Sequence, residues 1–285
     1  MNQISIGQLI EAMPSISTSH GRNNPAYKVF EIIADNIVGK SDLIKTSEAF
    51  IDLGKLGKMN FPYQKFGAID SLDLFGLDEM IIFSYYLTNK EKYKKAYDIG
   101  ANIGIHSIVM SLCGWDVKCI EPDPVHMGIL KNNLAINNIT MVKPIEAAVS
   151  DIAGEMEFVR VNGNTTSSHL AGSKQPYGDL TKFPVKVLSI KDIMKEADII
   201  KMDVEGNEKN IILATEYDDW DGTDMMLEIG SEENAVAVFE HLQKIGVNSF
   251  SQKNGWALVK KLSNIPTSYK EGSLFISVKE KMNWV

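Results

Sequence analysis

The chain has 285 residues, of which 44% are hydrophobic and 23% are charged, and its formal net charge is −8. This composition is typical of a globular protein with one large domain, or with one domain and a smaller helical part. The acidic balance disfavours a surface that follows nucleic-acid phosphates. No apolar run reaches the roughly 18–20 residues that cross a bilayer, and the first 24 residues lack a basic start followed by an apolar block. We therefore predict a soluble, cytoplasmic protein with no membrane span and no nucleic-acid partner.

Helical periodicity dominates the first 90 residues. Apolar side chains recur at helical spacing over residues 27–38, again over 42–53, and from Asp78 onward, whereas residues 54–63 contain glycines and predict a loop. We predict that residues 1–90 form a helical N-terminal region.

From residue 96 onward, short β-rich runs alternate with helical segments, which indicates an α/β fold with a mostly parallel sheet covered by helices. The predicted strands are residues 96–99, 117–121, 141–145, 199–203, 225–229, 248–252 with 256–259, and 274–278, and the predicted helices are 105–112, 124–137, 208–214 and 232–245. The interval 149–188 interrupts this alternation. It contains an alternating run at 156–161 and then a long polar loop at 162–183.

A glycine loop, residues 98–104, joins the first predicted strand of the sheet to a helix. In open parallel sheets such a loop lies at the ligand-binding edge. A dinucleotide site requires G-x-G-x-x-G, but here Asn102 replaces the middle glycine and Asp98 adds a negative charge. A carboxylate at this place suits a cationic ligand such as S-adenosylmethionine, which has an ammonium, a sulfonium and no phosphate. The predicted cofactor-binding residues of this loop are Asp98, Gly100, Ala101, Asn102 and Gly104.

The second predicted strand ends in Glu121, Pro122 and Asp123. Glu121 follows Asp98 by 23 residues, close to the spacing of about 20 at which an acidic side chain meets a ribose diol. We therefore predict that Glu121 and Pro122 contact the cofactor. The alternative is that this acidic segment only caps the next helix, for which Asp123 alone suffices. Glu146 and Ala147, at the end of the third strand, are predicted to line the adenine pocket.

Four segments together resemble the FkbM family of S-adenosylmethionine-dependent methyltransferases: D-I-G-A-N-I-G at 98–104, E-P-D at 121–123, A-V-S-D at 148–151 and I-K-M-D-V-E-G at 200–206. The resemblance covers about residues 96–280. It implies a Rossmann-like class I methyltransferase fold in residues 91–285, with a seven-stranded sheet whose last strand is antiparallel. It also implies methyl transfer to a hydroxyl oxygen, with sugars, glycans and polyketide-type metabolites as family substrates, and a cofactor contact from Glu79.

Methyl transfer to an alcohol needs a positioned base or a metal that activates the oxygen. Asp203 ends an apolar strand that is expected to lie next to the strand at 96–99. Its carboxylate is therefore expected over the reactive end of the cofactor, and Asp203 is also predicted to contact the cofactor. Glu205 and Glu208 lie at the turn and the first residues of the next helix, where the helix dipole favours negative charge. Simple capping of that helix is therefore the alternative to a site role for both. The candidate catalytic bases are Asp203, Glu205, Glu228, His106 and His169. A divalent metal on Asp203 and Glu228 is a less favoured alternative.

The acceptor is expected to enter over the strand ends. The polar loop at 162–183, with its hydroxyl and amide side chains, suits a polyol, and residues 1–90 are a candidate lid. The predicted activity is therefore O-methylation of a carbohydrate, a glycan or a glycosylated or polyketide-type metabolite. Two alternatives are methylation of nucleic acid or protein, and a non-catalytic S-adenosylmethionine-binding protein.

Overall fold

The computed structural model describes residues 4–40, 50–65, 70–173, 175 and 177–284. The helices are α1 (Ile6–Ala12), α2 (Pro25–Lys40), α3 (Leu77–Thr88), α4 (Ile105–Leu112), α5 (Pro124–Ile136), α6 (Ile190–Met194), α7 (Glu208–Leu213) and α8 (Glu232–Ile245). The strands are β1 (Phe50–Asp52), β2 (Lys58–Asn60), β3 (Lys95–Ile99), β4 (Asp116–Ile120), β5 (Lys143–Ile145), β6 (Ala148–Ser150), β7 (Gly154–Val161), β8 (His169–Leu170), β9 (Leu180–Ser189), β10 (Ile199–Met202), β11 (Asp224–Leu227), β12 (Asn248–Ser251), β13 (Ala257–Leu258) and β14 (Leu274–Ser277).

The main sheet has the strand order β13-β12-β14-β11-β10-β3-β4-β5. Strands β5, β4, β3, β10 and β11 are parallel to one another, whereas β14 runs antiparallel to both β11 and β12. The predicted Rossmann-like sheet with an antiparallel last strand is confirmed, and the two-residue β13 adds an eighth strand at one edge. The strand order reverses between β3 and β10, which is where ligands bind in such sheets.

Helices cover both faces of this sheet because alternate residues of each central strand point to opposite sides. Ala96 and Ile199 pack with α3, α4 and α5 on one face, whereas Tyr97 and Ile200 pack with α7 and α8 on the other. The central strands are therefore apolar on both sides, as their sequences predict.

The interval after β5 folds as a second sheet, with the strand order β6-β9-β7-β8. The prediction of one continuous polar loop over residues 162–183 was wrong. His169 and Leu170 form β8, and residues 180–183 begin the ten-residue strand β9, which pairs with β7 from Gly154 to Val161. β9 escapes detection because Pro184 interrupts its short alternation of Phe183, Val185 and Val187, and proline is uncommon inside strands.

The N-terminal region contains α1–α3 and a short hairpin of β1 and β2. Of the predicted helix at 42–53, residues 42–49 lie outside the described part of the chain. Residues 50–52 form strand β1 instead of a helix. Within the predicted loop at 54–63, residues 58–60 form β2. No helix in the described part of the chain is both long and apolar enough to cross a membrane.

Candidate active site

A cavity of about 530 Å³ opens at the carboxyl ends of β3, β4, β10 and β11. The second sheet and the start of α3 complete its walls. Of the residues predicted for the site, those that line it are Glu79, Gly100, Asn102, Glu121, Pro122, Ala147, Asp203, Glu205 and Glu228. The topology thus brings together acidic residues that lie up to 149 positions apart in the chain (228 − 79 = 149).

The glycine loop fits tightly against the end of β10. Gly100 has a φ of +74°, and a Cβ at this position would lie 1.7 Å from the carbonyl oxygen of Asp203. The backbone N–H groups of Gly100 and Ala101 both donate to the carbonyl oxygen of Ile120, at 2.9 and 3.0 Å. The loop is therefore fixed between the ends of β10 and β4.

Asn102 leaves an acceptor atom without a partner inside this loop. Its φ is +50°, a left-handed conformation that asparagine tolerates better than most residues. Its Oδ1 is buried and has no hydrogen-bond partner. A buried acceptor of this kind is costly unless a ligand donates to it.

Glu121 follows β4 and is buried next to the loop. Its Oε2 accepts from the backbone N–H of Asn102 at 2.8 Å, and its Oε1 accepts from the N–H of Asp123 at 2.9 Å. Burial raises the pKa of Glu121 to about 8. The cap of α5 comes from Asp123, whose Oδ1 accepts from the N–H groups of Val125 and His126. Because Asp123 caps the helix, Glu121 is not needed for capping, and it lines the cavity.

Asp123 is also the partner of a partly buried arginine. Its Oδ2 accepts from Nε of Arg160 at 2.6 Å and its Oδ1 from Nη2 at 2.5 Å. Burial opposes the ionised form of Asp123, but Arg160, His126 and the cap together outweigh it and lower the pKa of this carboxyl. Arg160 lies on β7, so this ion pair joins the second sheet to the main sheet beside Glu121.

The opposite end of the cavity contains Asp203 and Glu228, which follow the neighbouring strands β10 and β11. Burial raises the pKa of Glu228 to about 8, and the charge of Asp203 adds to this effect while Lys201 opposes it. Lys201 is buried within β10, opposite Asp98 of β3. Burial alone would lower the pKa of Lys201, but Asp203, Glu228, Glu79 and Asp98 outweigh it and raise that pKa.

Glu79 reaches the cavity from the first turn of α3. Its Oε2 lies 2.8 Å from Nε2 of His106, and Nδ1 of His106 lies 3.1 Å from the hydroxyl of Tyr86. Burial opposes ionisation of Glu79, but His106 and Lys201 lower its pKa. His106 therefore lies behind Glu79 and does not line the cavity.

Glu205 and Glu208 belong to the turn after β10. Glu205 has a φ of +54°, and Oε1 of Glu208 accepts from the N–H groups of Val204 and Gly206 at 3.3 and 3.2 Å. Glu208 thus stabilises the turn, as the capping alternative predicts. Its Oε2 is nevertheless buried without a partner, and Glu208 lines the cavity. Burial raises the pKa of this carboxyl.

The other predicted site residues lie behind the cavity wall or away from it. The buried carboxylate of Asp98 accepts from the hydroxyl of Ser107 at 2.5 Å. Glu146 pairs with Lys131 on the surface at 2.5 Å, and His169 is buried in β8 with Nδ1 2.9 Å from the carbonyl of Ser167. Ala101 and Gly104 shape the glycine loop without lining the cavity.

Part of the polar loop that was predicted to meet the acceptor lines the cavity, together with residues that the sequence analysis did not single out. A turn of the second sheet, residues 164–168, lines the cavity, and Oγ1 of Thr165 lies 2.8 Å from Nε2 of His126 at the start of α5. Asp73, Leu74 and Tyr269 line it from segments far apart in sequence. Lys201 lies beneath the cavity and was also missed, although a lysine inside an apolar strand is a signal that the sequence offers. Among the described residues, no three or more His, Cys, Asp or Glu side chains are grouped so that they could hold a metal ion.

The strand order, the glycine loop after β3 and the buried acid after β4 define the class I fold of S-adenosylmethionine-dependent methyltransferases. The methyltransferase FkbM domain matches residues 98–249, just over half of the chain, so the chain belongs to the FkbM methyltransferase family.

Similarity to individual proteins is more distant. Methyltransferase sdnD of Sordaria araneosa is 25% identical over 171 residues, which span 48% of this chain and 66% of that protein, slightly under two thirds of its length. Among solved structures, the METTL16 MTase domain is 16% identical with a TM-score of 0.41, over 70% of this chain and 67% of that chain. A SAM-dependent methyltransferase from Agrobacterium tumefaciens is 10% identical with a TM-score of 0.39, over 71% of this chain and 63% of that one.

Family membership implies S-adenosylmethionine as the methyl donor, and the residues present fit this group. The unpartnered Oδ1 of Asn102 can accept from an ammonium, and Glu121 can accept from the ribose hydroxyls. Phe158 and Leu170 of the second sheet, with Ala147 after β5, offer an apolar surface for the adenine.

Proposed function

We propose that the chain transfers a methyl group from S-adenosylmethionine to a hydroxyl oxygen of a carbohydrate, a glycan or a glycosylated or polyketide-type metabolite. The observation that supports this proposal is the single cavity that contains Glu121 at one end and the carboxylates of Asp203 and Glu228 at the other. Glu121 is suited to bind the hydroxyls of a ribose. Asp203 and Glu228 are suited to act as a base for an alcohol.

The cavity has two functional ends in this proposal. The cofactor end contains Asn102, Glu121 and the turn at 164–168, because His126 ties that turn to the helix after β4. We assign to the acceptor end the lining residues Asp73, Leu74, Glu79, Asp203, Glu228, Gly230 and Tyr269. We therefore assign the 164–168 turn to the cofactor instead of the polyol.

S-adenosylmethionine, when bound, supplies a methyl carbon that is electrophilic because it is attached to a positively charged sulfur. Glu228 would accept the proton that the acceptor hydroxyl gives up as its oxygen bonds to the methyl carbon, while the bond from that carbon to sulfur breaks and S-adenosylhomocysteine is the leaving group. A base works best when its pKa lies near the working pH, and Glu228 meets this condition with a pKa of about 8. Asp203 and Lys201 set the charge around it. The walls formed by α3 and the second sheet limit the access of water.

Release of S-adenosylhomocysteine tests this function. The full chain is incubated with S-adenosylmethionine and a panel of neutral, amine-bearing and anionic glycosides, and product is detected by mass spectrometry. A methyl ether on at least one hydroxyl-bearing acceptor is the expected result. Tight binding of S-adenosylhomocysteine by calorimetry, with no methylated product from any acceptor, would instead indicate a non-catalytic binding protein.

A further inference from the structure

The acceptor end of the cavity is acidic. Glu79 and Asp203 lie close enough to Glu228 for their charges to raise its pKa, and we assign Asp73, which lines the same cavity from the segment before α3, to this end as well. Among the described residues that line the whole cavity, none is a lysine or an arginine. A phosphate or carboxylate on the acceptor would therefore enter a region of like charge with no cationic side chain to receive it.

The nearby basic side chains are already paired or lie outside the cavity. Arg160 pairs with Asp123 at the cofactor end, His106 pairs with Glu79, and Lys201 lies beneath the cavity, where four carboxylates share it. Burial and the charge of Asp203 raise the pKa of Glu228, as expected for a carboxylate without a cationic partner inside the cavity. A bound ammonium would favour its ionised form.

Two further observations favour a cationic ligand. Glu208 lies close enough to Asp203 for that charge to raise its pKa, and its Oε2 is buried in the cavity wall without a hydrogen-bond partner, with the residue only 3% exposed. Tyr269 is 60% exposed and lines the acceptor end, where its ring can receive a sugar or an ammonium. Lys270 is the cation near this ring, with Nζ 5.7 Å from its centroid, and it does not line the cavity.

We propose that the acceptor is a polyol that carries a protonated amine, such as an amino sugar, whose ammonium is held by the carboxylates of the acceptor end. Sugar nucleotides, phosphorylated sugars and uronic acids are excluded by the same charges. This inference rests on the proposed methyl transfer and narrows its substrate class.

A matched acceptor series tests the proposal. Three glycosides of one hexose, which differ only in bearing an amine, a hydroxyl or a carboxylate, are compared by kcat/KM for S-adenosylhomocysteine release. We expect the amine to exceed the neutral glycoside by about tenfold or more, and the carboxylate to fall below the neutral one by a similar factor. A neutral or anionic glycoside that equals the amine overturns the proposal.

Two variants locate the preference at the acceptor end. D73N and E79Q remove one charge each with little change of shape, and the ratio of amine to neutral kcat/KM should fall severalfold in both. Because both acceptors are measured in the same variant, any loss of cofactor affinity cancels in this ratio. The matched control is E121Q at the cofactor end, which should weaken S-adenosylhomocysteine binding and leave the ratio unchanged. A ratio that is unaltered in both D73N and E79Q overturns the assignment.

The two levels of inference fail in distinguishable ways. If S-adenosylhomocysteine binds but no acceptor is methylated, the proposed methyl transfer fails, and the amine preference fails with it. If the neutral glycoside is methylated at least as well as the amine, only the substrate class is wrong.

Discussion

Two carboxylates in the cavity, Glu121 and Glu228, have a pKa of about 8, and burial is the main cause in both. Their surroundings differ. Glu121 accepts two backbone hydrogen bonds, which favour its ionised form against the like charges of Asp123 and Asp98. The like charges of Asp203 and Glu79 raise the pKa of Glu228, and Lys201 opposes them. Glu228 is therefore the carboxylate best suited to gain and lose a proton during turnover.

The pH profile should report this group. Because Glu228 accepts a proton only when it is ionised, we expect kcat/KM to rise with pH up to about 8 and then to level off. The E228Q variant should lose about 10²-fold or more in kcat/KM, which is typical of removing a general base, and should lose this dependence on pH. A wild-type profile that is flat between pH 6 and 9 would contradict the role of Glu228.

Stability gives an independent check of the same charge. The pKa of Glu228 in the folded state, about 8, lies above its ordinary value of 4.5, so protonation favours the folded state. That contribution is complete below pH 4.5 and is lost as the pH rises through 8. The free energy of unfolding of E228Q, measured by thermal unfolding, should therefore equal that of wild type near pH 4. At pH 9 it should exceed the wild-type value by about 1–3 kcal/mol. Equal stability at pH 9 would argue against a strained charge at this position.

The residues that the sequence could predict are those attached to a local motif. Glu121 and Asp203 follow apolar strands directly, so their places at the sheet edge follow from periodicity and the rule for parallel sheets. His106 also lies in the helix that follows the loop, but its side chain points to Glu79 and Tyr86. That direction depends on how α3 packs over α4, which no local pattern encodes.

At the scale of elements, the contact between the glycine loop and the end of β10 fixes the geometry of the site. Gly100 and Gly114 both have a positive φ, +74° and +83°, but a Cβ at Gly100 would meet the carbonyl of Asp203 at 1.7 Å, whereas a Cβ at Gly114 has nothing within 4 Å. The two positions therefore separate the cost of the backbone conformation from the cost of the close approach.

We expect G114A to destabilise the protein by about 1 kcal/mol, the usual cost of a positive φ for alanine. G100A should cost about 3 kcal/mol or more, because the ends of β3 and β10 must separate. Thermal unfolding measures both, and calorimetry with S-adenosylhomocysteine should show weaker binding for G100A alone. Equal effects of the two substitutions would mean that the loop can shift away from β10 without consequence.

The second sheet marks the limit of local prediction. β9 pairs with β7 over eight residue positions and with β6 over three, and these contacts bring distant segments together. Its exposed residues are polar and Pro184 lies within it, so its sequence resembles a loop. The main sheet was predictable because its strands are buried on both faces, whereas a half-exposed strand is specified largely by its partners.

At the scale of the whole molecule, the N-terminal region and the sheet share one hydrophobic core. Ile10 and Met13 belong to the same buried cluster as Ala96 and Met226 of the sheet. Polar contacts reinforce this packing: the backbone N–H of Asn60 donates to Oδ1 of Asn137 in α5 at 2.7 Å, with the reciprocal bond at 2.7 Å.

The start of α3 is tied to the far edge of the sheet. Asp78 accepts from Arg22, from the hydroxyl of Tyr27 at 2.9 Å and from Nε2 of Gln252 at 2.5 Å. Trp256 donates through Nε1 to Nδ1 of His20 at 2.9 Å. These contacts fix the residue that precedes Glu79, so they favour a rigid wall over a hinged lid as the role of the N-terminal region.

Truncation distinguishes the wall from the lid. α3 has eight buried residues, and removing residues 1–90 would expose the face of α4 and of the sheet against which they pack. We expect the fragment 91–285 to lose cooperative thermal unfolding and S-adenosylhomocysteine binding, because a core that loses so much apolar contact falls below the usual margin of stability. A control that lacks only residues 1–3 should behave like the full chain. A hinged lid predicts the opposite result: a fragment that unfolds cooperatively and still binds S-adenosylhomocysteine, with only methyl transfer impaired.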